Sequence, residues 1–267
     1  MTTSRNPLVS ILTPTYNHSA YIGSCIESVL AQSYSNWEQI VIDDGSTDDT
    51  RAVIARFRDS RIRYLRQENQ GIFQIAGTYN RALSLSRGSL IAPLEGDDFW
   101  PRDRLAVSVP AFDDPAVVIS HGLCRSITPP GIPCATEISA PAMQSSHRAT
   151  LFNDPVGAAC SAMLQFGSVL TTALGNSWPA TACCDFQTAP SLGSHVNCLR
   201  DNPMTTALIR RSALEAIGGF RQVPGLPVMD YPTLVELALQ GKFFFFNQVM
   251  CHWRMHGGNS SERYRDD

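Results

Sequence analysis

Leu90-Ile91-Ala92-Pro93-Leu94-Glu95-Gly96-Asp97-Asp98-Phe99-Trp100 is an apolar run that ends abruptly in three carboxylates. Residues 90–94 have the length and character of a buried strand, so Glu95, Asp97 and Asp98 stand together at its carboxyl end. Anions held that close repel unless something positive lies among them, and a dense set of hard oxygen ligands suits Mg2+ or Mn2+. The same residues also fit a solvated turn feeding a helix, with Asp98 or Asp103 as its cap. Taken alone, the acidic turn leaves both readings open.

Upstream, residues 8–12 form a short apolar run around Val9 and Ile11, a strand ended by Pro14. Residues 20–32 place Ile22, Ile26, Val29 and Leu30 at helical spacing. A second strand over 37–42 leads into the turn Asp43-Asp44-Gly45-Ser46, after which Ser46 or Thr47 can cap a helix to about Phe57. A third strand over 62–65 is followed by the loop Asn69-Gln70-Gly71 and a helix reaching about Ser86. This alternation predicts an α/β fold, a mostly parallel Rossmann-like sheet with helices on both faces. Ligands of such sheets bind beyond the carboxyl ends of the strands. Three of those ends, 14–17, 43–46 and 95–98, carry polar or acidic residues, so they should share one crevice. No Gly-x-Gly-x-x-Gly follows the first strand, and Lys242 is the only lysine, which argues against a dinucleotide fold or a P-loop.

Downstream the pattern loosens. Residues 102–112 can form a helix and 116–120 a strand, but 126–201 is rich in Pro, Gly, Ser and Ala, with one or two helices expected within 158–174. Regularity returns with a strand over 205–209 and a helix over 212–217 stopped by Gly218-Gly219. A helix over 231–240 and a terminal pair of strands, 242–247 and 249–254, complete the chain. No linker divides it into independent domains. With 43% hydrophobic and 17% charged residues among 267, the chain can bury a real core. A net charge of −3 argues against a nucleic-acid binder, and no polybasic block offers an electrostatic membrane anchor. The eight cysteines show no C-x-x-C spacing, which points to buried thiols in a reduced cytoplasmic protein. Residues 1–7 are too short and polar for a signal peptide, and 157–175, interrupted by Gln165, reads as a buried or amphipathic helix rather than a span.

The motifs together resemble those of the family 2 glycosyltransferases, nucleotide-sugar-dependent and usually inverting enzymes of the GT-A fold. They are Val9 to Asn17 (VSILTPTYN), Val41 to Asp48 (VIDDGSTD), Asn69-Gln70-Gly71, Glu95-Gly96-Asp97-Asp98, Ile217-Gly218-Gly219-Phe220, Met229-Asp230 and Trp253 to Ser260 (WRMHGGNS). They cover both ends of the chain in the family's order. The resemblance implies a single domain in which residues 1–122 bind the donor and 123–267 face the acceptor. It implies that Asp44 accepts a hydrogen bond from the base, with Thr13, Pro14, Thr15 and Tyr16 lining the same pocket. Asp97 would lie nearer the ribose and Asp98 nearer the metal, with His256 reaching back to metal or diphosphate, Arg254 beside it, and Asp230 as general base.

The implied partners are a nucleoside-diphosphate sugar, a divalent ion (Mn2+ or Mg2+) and a saccharide or lipid-linked saccharide acceptor. The implied setting is bacterial polysaccharide or glycolipid synthesis, in the cytoplasm or peripherally at the inner face of the membrane. The residues also admit plainer roles: Asp43-Asp44-Gly45 as a turn, Asp230 as a helix cap before Pro232, His256 as a surface histidine. His121, His147, His195 and His252 match no motif and read as structural. Glu95 stands where many relatives have aspartate, and Met229 where many have glutamate. A nucleotidyltransferase, or a nucleotide-sugar-binding module without turnover, would share the acidic crevice.

Overall fold

The computed structural model describes residues 6–127, 150–152 and 203–259. Strand β1 (Val9–Thr15) is followed by helix α1 (Ile22–Leu30), β2 (Trp37–Asp43), α2 (Thr50–Ile54), β3 (Ile62–Arg66), α3 (Ile75–Leu85) and β4 (Leu90–Pro93). Each strand returns parallel to a neighbour: β2 and β4 flank β1, and β3 lies outside β2. The chain continues through α4 (Arg104–Ser108), a 3-10 turn over Val109–Asp113, β5 (Val117–Ile127), β6 (Thr150–Phe152), α5 (Pro203–Thr206), β7 (Leu208–Arg210), α6 (Arg211–Ala216), α7 (Asp230–Ala238) and β8 (Lys242–Arg254). Among the described residues the sheet has eight strands in the order β3-β2-β1-β4-β7-β5-β8-β6. β7 runs antiparallel to β4 and β5, β6 runs antiparallel to β8, and β5 and β8 are parallel.

Strand alternation distributes the apolar residues to two cores. On one face Leu12, Ile40, Ile42 and Ile91 meet α3, α6 and α7 through Tyr79, Leu214 and Leu237. On the other, Val9, Ile11, Val41 and Ala92 meet α1, α2 and α4. In α1 the buried residues Ile22, Cys25, Ile26 and Val29 recur at i, i+3, i+4 and i+7, one helical face. Each large aliphatic among them gains about 1.5–3 kcal/mol on leaving water.

The architecture agrees with the expected parallel α/β sheet, and several boundaries differ. Residues 242–254 are one strand rather than a pair. β8 runs beside β5 throughout, with a register shift where Phe246 pairs with Gly122 and Val249 with Leu123. Asn247 and Gln248, which span the end of the first expected strand and the gap before the second, are the residues the shift accommodates. The expected strand over 205–209 divides into α5 and β7, and the expected helix over 102–112 becomes α4 and a 3-10 turn whose second residue is Pro110, which has no backbone N–H to give. The strand expected at 116–120 extends to Ile127, crossing the boundary between the two expected halves, so the sheet is continuous across it. The helices expected within 158–174, and the rest of the irregular stretch up to Asp201, lie outside the described residues. Among the described residues no helix is long and apolar enough to cross a membrane, and Cys25 and Cys251 are buried thiols.

Candidate active site

The carboxyl ends of β1, β2 and β4 meet as the motif spacing requires. Asp44 N–H donates to the Thr15 carbonyl at 2.9 Å, and Gly96 N–H to the Pro14 carbonyl at 3.0 Å, so β1 is bracketed by the two acidic turns. The turn after β2 is tied down by its own side chains. Asp43 accepts from Ser46 N–H and from the Tyr64 hydroxyl, at 2.8 and 2.7 Å. Asn17, in the left-handed region at φ 54°, accepts from Thr47 N–H at 2.8 Å. Gly45 is needed where it stands: its φ is +82°, and a Cβ there would lie 2.8 Å from the Asn69 nitrogen.

Asp44 holds the loop after β3. Its carboxylate accepts from Gln67 Nε2 at 2.6 Å, from Gln70 N–H at 3.0 and 3.1 Å and from Gly71 N–H at 3.1 Å. In the β1 segment, Thr13 is fully buried with its hydroxyl accepting from Gln39 Nε2, and Pro14 is buried. Thr15 is buried against His18, and Tyr16 alone, 41% exposed, presents its side chain at the surface.

The acidic turn after β4 is closed from above by the end of β8. Phe99 and His252 exchange backbone hydrogen bonds and stack their rings at 4.7 Å. Arg254 N–H then donates to Asp98 Oδ1 at 2.9 Å. The Arg254 guanidinium reaches Ser24 Oγ at 3.0 Å and lies between the rings of Tyr21 and Phe99. His256 stacks on Tyr21 at 4.4 Å, and its Nε2 is 3.1 Å from Asp97 Oδ2. Asn259 Nδ2 reaches the same oxygen at 3.4 Å, and His18 Nε2 lies 3.8 Å from it. Gly96 lets these groups close in: a Cβ there would be 2.5 Å from Thr15 Oγ1 and 3.0 Å from His18 Nδ1.

Asp97 and Asp98 are buried, and each has one oxygen, Asp97 Oδ1 and Asp98 Oδ2, with no hydrogen-bond partner among the described residues. Buried carboxylate oxygens without a partner are costly. The charges show in the acidities. Burial, then Asp97 and Glu95, push Asp98 well above the usual carboxylate range. Burial, then Asp97 and Asp230, push Glu95 up to about 8. Burial would raise Asp97 as well, but His18 and the hydrogen bond from His256 hold it below its ordinary value. Ligand atoms of Glu95, Asp97 and Asp98 lie within 4.8 Å of one another. Bare, clustered carboxylate oxygens fit a hard divalent cation such as Mn2+ or Mg2+.

Asp230 opens α7 and faces the same interior. It is half-buried, and burial raises its carboxyl to about 6. The buried Tyr79 phenol on α3 is pushed far up by burial and then by Glu95, Asp230, Asp98 and Asp97, so all four carboxylates lie within electrostatic reach of it. The loop leading to Asp230 is fixed to α3. Asn80 Nδ2 donates to the Phe220 carbonyl and Asn80 Oδ1 accepts from Phe220 N–H, at 2.9 and 2.8 Å, while Gln222 Oε1 accepts from Ala76 N–H at 3.1 Å.

The family model described as glycosyl transferase family 2 matches residues 10–169, more than half of the 267. The chain belongs to that family. Among curated relatives, this family 2 chain is 43% identical over 102 residues to the Escherichia coli UDP-Glc:alpha-D-GlcNAc-diphosphoundecaprenol beta-1,3-glucosyltransferase WfgD. The match spans 38% of this chain and 40% of that one, less than half of either. Among solved structures it resembles S. aureus TarS 1-349 in complex with UDP-GlcNAc, with TM-score 0.62 and 15% identity over 95% of this chain and 60% of that one. It also resembles the mannosyltransferase PcManGT from Pyrobaculum calidifontis in complex with GDP-Man and Mn2+, with TM-score 0.61 and 20% identity over 97% of this chain and 60% of that one. At these identities the structural likeness establishes the GT-A fold of the family 2 chain.

Sequence reasoning assigned no role to His18, Asn259, Tyr21 or Ser24. His18 follows the first strand's Thr-Tyr-Asn directly, and Asn259 lies within the C-terminal motif, so position relative to the motifs was the available signal.

Proposed function

We propose that this family 2 chain is a metal-dependent inverting glycosyltransferase that moves a sugar from a nucleoside diphosphate to a hydroxyl of a saccharide or lipid-linked saccharide. The observation that carries the reading is the pair of bare, buried oxygens, Asp97 Oδ1 and Asp98 Oδ2, at the carboxyl end of β4, with Asp230 facing the same interior. Asp97 and Asp98, with Glu95 beside them, would hold Mn2+ or Mg2+. When bound, such an ion supplies positive charge against the diphosphate that leaves.

The chain's own groups supply the rest. Tyr16 offers an exposed ring for the base, and Asp44, whose two oxygens already accept N–H groups of Gln67, Gln70 and Gly71, has at most one lone pair left for it. Arg254 gives its backbone N–H to Asp98, and its guanidinium, held against Tyr21, Phe99 and Ser24 Oγ, is the cation this reading assigns to the diphosphate. Asp230, raised to about 6, is ionised at neutral pH yet more basic than an ordinary carboxylate. It takes the proton from the acceptor hydroxyl while that oxygen bonds to the anomeric carbon. The bond from that carbon to the diphosphate oxygen breaks on the opposite face, and its electron pair leaves with the diphosphate. A single displacement inverts the carbon and needs no covalent enzyme intermediate.

Residues 1–122 form the donor half in this reading and 123–267 the acceptor half of one domain. The name of the E. coli relative, which pairs UDP-Glc with a diphosphoundecaprenol acceptor, supports a lipid-linked saccharide as acceptor. Incubation with UDP-glucose, GDP-mannose and Mn2+ tests the reaction class. Free UDP or GDP with an undecaprenol-linked acceptor supports sugar transfer. Pyrophosphate exchange from a nucleoside triphosphate would instead make the chain a nucleotidyltransferase, and saturable binding without turnover a binding module.

A further inference from the structure

An open recess of about 500 Å3 lies where the end of β3 faces α3, with Arg66, Gln67 and Glu68 from the strand side and Gln74, Gly77 and Arg81 from the helix side. That is the size of a small-molecule site, and neither Thr13, Tyr16 and Asp44 nor the acidic turn after β4 lines it. Its cations are held from behind. Arg81 Nη1 donates to Gln67 Oε1 at 2.8 Å, while Gln67 Nε2 donates to Asp44 Oδ1 at 2.6 Å and to Thr78 Oγ1 at 3.0 Å. These bonds fix which way the amide faces, and the amide fixes the guanidinium. Arg66 Nη2 donates to the Ser46 carbonyl at 3.0 Å, and its Nε lies 3.9 Å from Asp43 Oδ2. A guanidinium carries several N–H groups in a planar fork, so both arginines keep donors for a ligand.

Gly77 is the part that packing does not explain. It sits within α3, where glycine costs stability relative to alanine. Its φ is not positive, and a Cβ there would meet nothing within 4 Å, so neither the backbone nor a neighbour calls for glycine. The missing side chain keeps the recess open. The charges agree with an anionic occupant: residues 51–87 carry eight arginines against Asp59 and Glu68, a net +6, in a chain whose total is −3. β3 is an edge of the sheet among the described residues, and arginines on an edge strand also keep sheets from pairing with one another. That role accounts for Arg63, but not for Arg81 or Gly77 on the helix.

We propose that this recess binds a phosphorylated sugar or polyol, with the phosphate on Arg66 and Arg81 and the hydroxyls on Gln74 and Glu68. Guanidinium forks match phosphate oxygens, and a pair of them balances one phosphate dianion. The Glu68 carboxylate accepts hydroxyl protons but repels a further anionic group, so diphosphates and polyanions are disfavoured. The proposal stands apart from the metal ion and from the sugar-transfer reading, and neither depends on it.

The test is calorimetric titration in EDTA with glucose 6-phosphate, inorganic phosphate and pyrophosphate, beside cosedimentation with phosphatidylcholine vesicles containing phosphatidylglycerol. Wild type is compared with Gly77→Leu, Gln74→Glu, Arg81→Gln and Arg58→Gln, the last an exposed arginine outside the recess. Glucose 6-phosphate should bind wild type more tightly than inorganic phosphate or pyrophosphate, and excess UDP with Mn2+ should not displace it. Gln74→Glu and Arg81→Gln should each weaken it about 10-fold, the loss of a charged hydrogen bond, and Arg58→Gln should leave it unchanged. Gly77→Leu should abolish it without lowering Tm, because leucine fills the recess and favours the helix more than glycine does. Binding seen only on vesicles and lost in Gly77→Leu would support the site with a lipid headgroup as the source of the polyol phosphate. Binding of no probe, an affinity unchanged in Gly77→Leu, pyrophosphate bound more tightly than glucose 6-phosphate, or displacement by UDP would each overturn the proposal, the last by placing the ligand in the donor pocket. If Gly77→Leu melts below wild type, Gln74→Glu, which changes an exposed side chain, decides the matter.

Discussion

Asp230→Asn should raise stability and abolish most of the turnover, and the two effects should separate with pH. Burial moves the Asp230 carboxyl from 3.8 to about 6. A raised folded-state value means that the native protein binds more protons than the unfolded chain between those limits. Stability is therefore lost as pH rises through that window, and the full penalty is present above about pH 6. Two units correspond to about 3 kcal/mol. The residue is half-buried, so solvent screening reduces this to about 1–2 kcal/mol. Asparagine also gives up a favourable charge in the first turn of α7, worth about 0.3–1 kcal/mol.

The net expectation is a gain of about 1 kcal/mol at pH 8, or about 2–4 °C in Tm for a chain of this size. The gain should shrink toward zero by about pH 4, where the wild-type carboxyl is itself neutral. Melts of both proteins in EDTA across that range measure it, and kcat with a sugar nucleotide and acceptor measures the catalytic half. Loss of a general base costs about 100- to 10,000-fold, and wild-type kcat should rise with pH through about 6. A Tm difference independent of pH would refute the burial argument, and wild-type turnover in Asp230→Asn would refute the assignment of the base.

Asp98→Asn relieves a buried charge, so its melting temperature in EDTA should not fall. The stabilisation that wild type gains from Mn2+, about 2.7 kcal/mol at 100 times Kd, should vanish, and equal Mn2+ shifts in both proteins would contradict the ion site. Gly45→Ala forces an alanine to φ +82° with its Cβ 2.8 Å from the Asn69 nitrogen. It should cost about 2 kcal/mol or more, the left-handed penalty alone being about 1–2, and an unchanged denaturant midpoint would count against the close approach. Asn80→Ala leaves the Phe220 N–H and carbonyl without their partners. A loss of about 2 kcal/mol is expected, with a lower kcat because the same loop leads to Asp230; wild-type values of both would show that the loop is held elsewhere.

What the sequence made legible was periodicity. Residues 8–94 alternate apolar runs of strand length with helical spacing, and each strand up to β4 lies where that pattern puts it, because burial on both faces forces the pattern on the sequence. The pattern misleads where tertiary context overrides it. Gln248 looks like a break between two strands, but β8 absorbs Asn247 and Gln248 in a register shift against β5 and continues as one strand. Thr205 and Thr206 look like the start of a strand, yet they lie buried in a helical turn before β7.

The site divides along the same line. Acidic residues at strand ends can be found from their type and position: Glu95, Asp97 and Asp98 cluster after β4, and Asp230 is close enough to raise the Glu95 carboxyl. Hydrogen-bond capacity cannot be read that way, because it depends on partners distant in the chain. Asp44 and Asp97 look alike as strand-end carboxylates. In the fold, both Asp44 oxygens accept N–H groups from residues 67–71, whereas Asp97 has all its donors on one oxygen, two of them contributed by the far end of the chain. The first carboxylate organises the pocket wall; the second keeps an oxygen bare for a ligand. It is the partners of Asp97, His256 and Asn259, that separate the two roles, which is why a reading confined to acidic residues finds the crevice but not which of its oxygens are available.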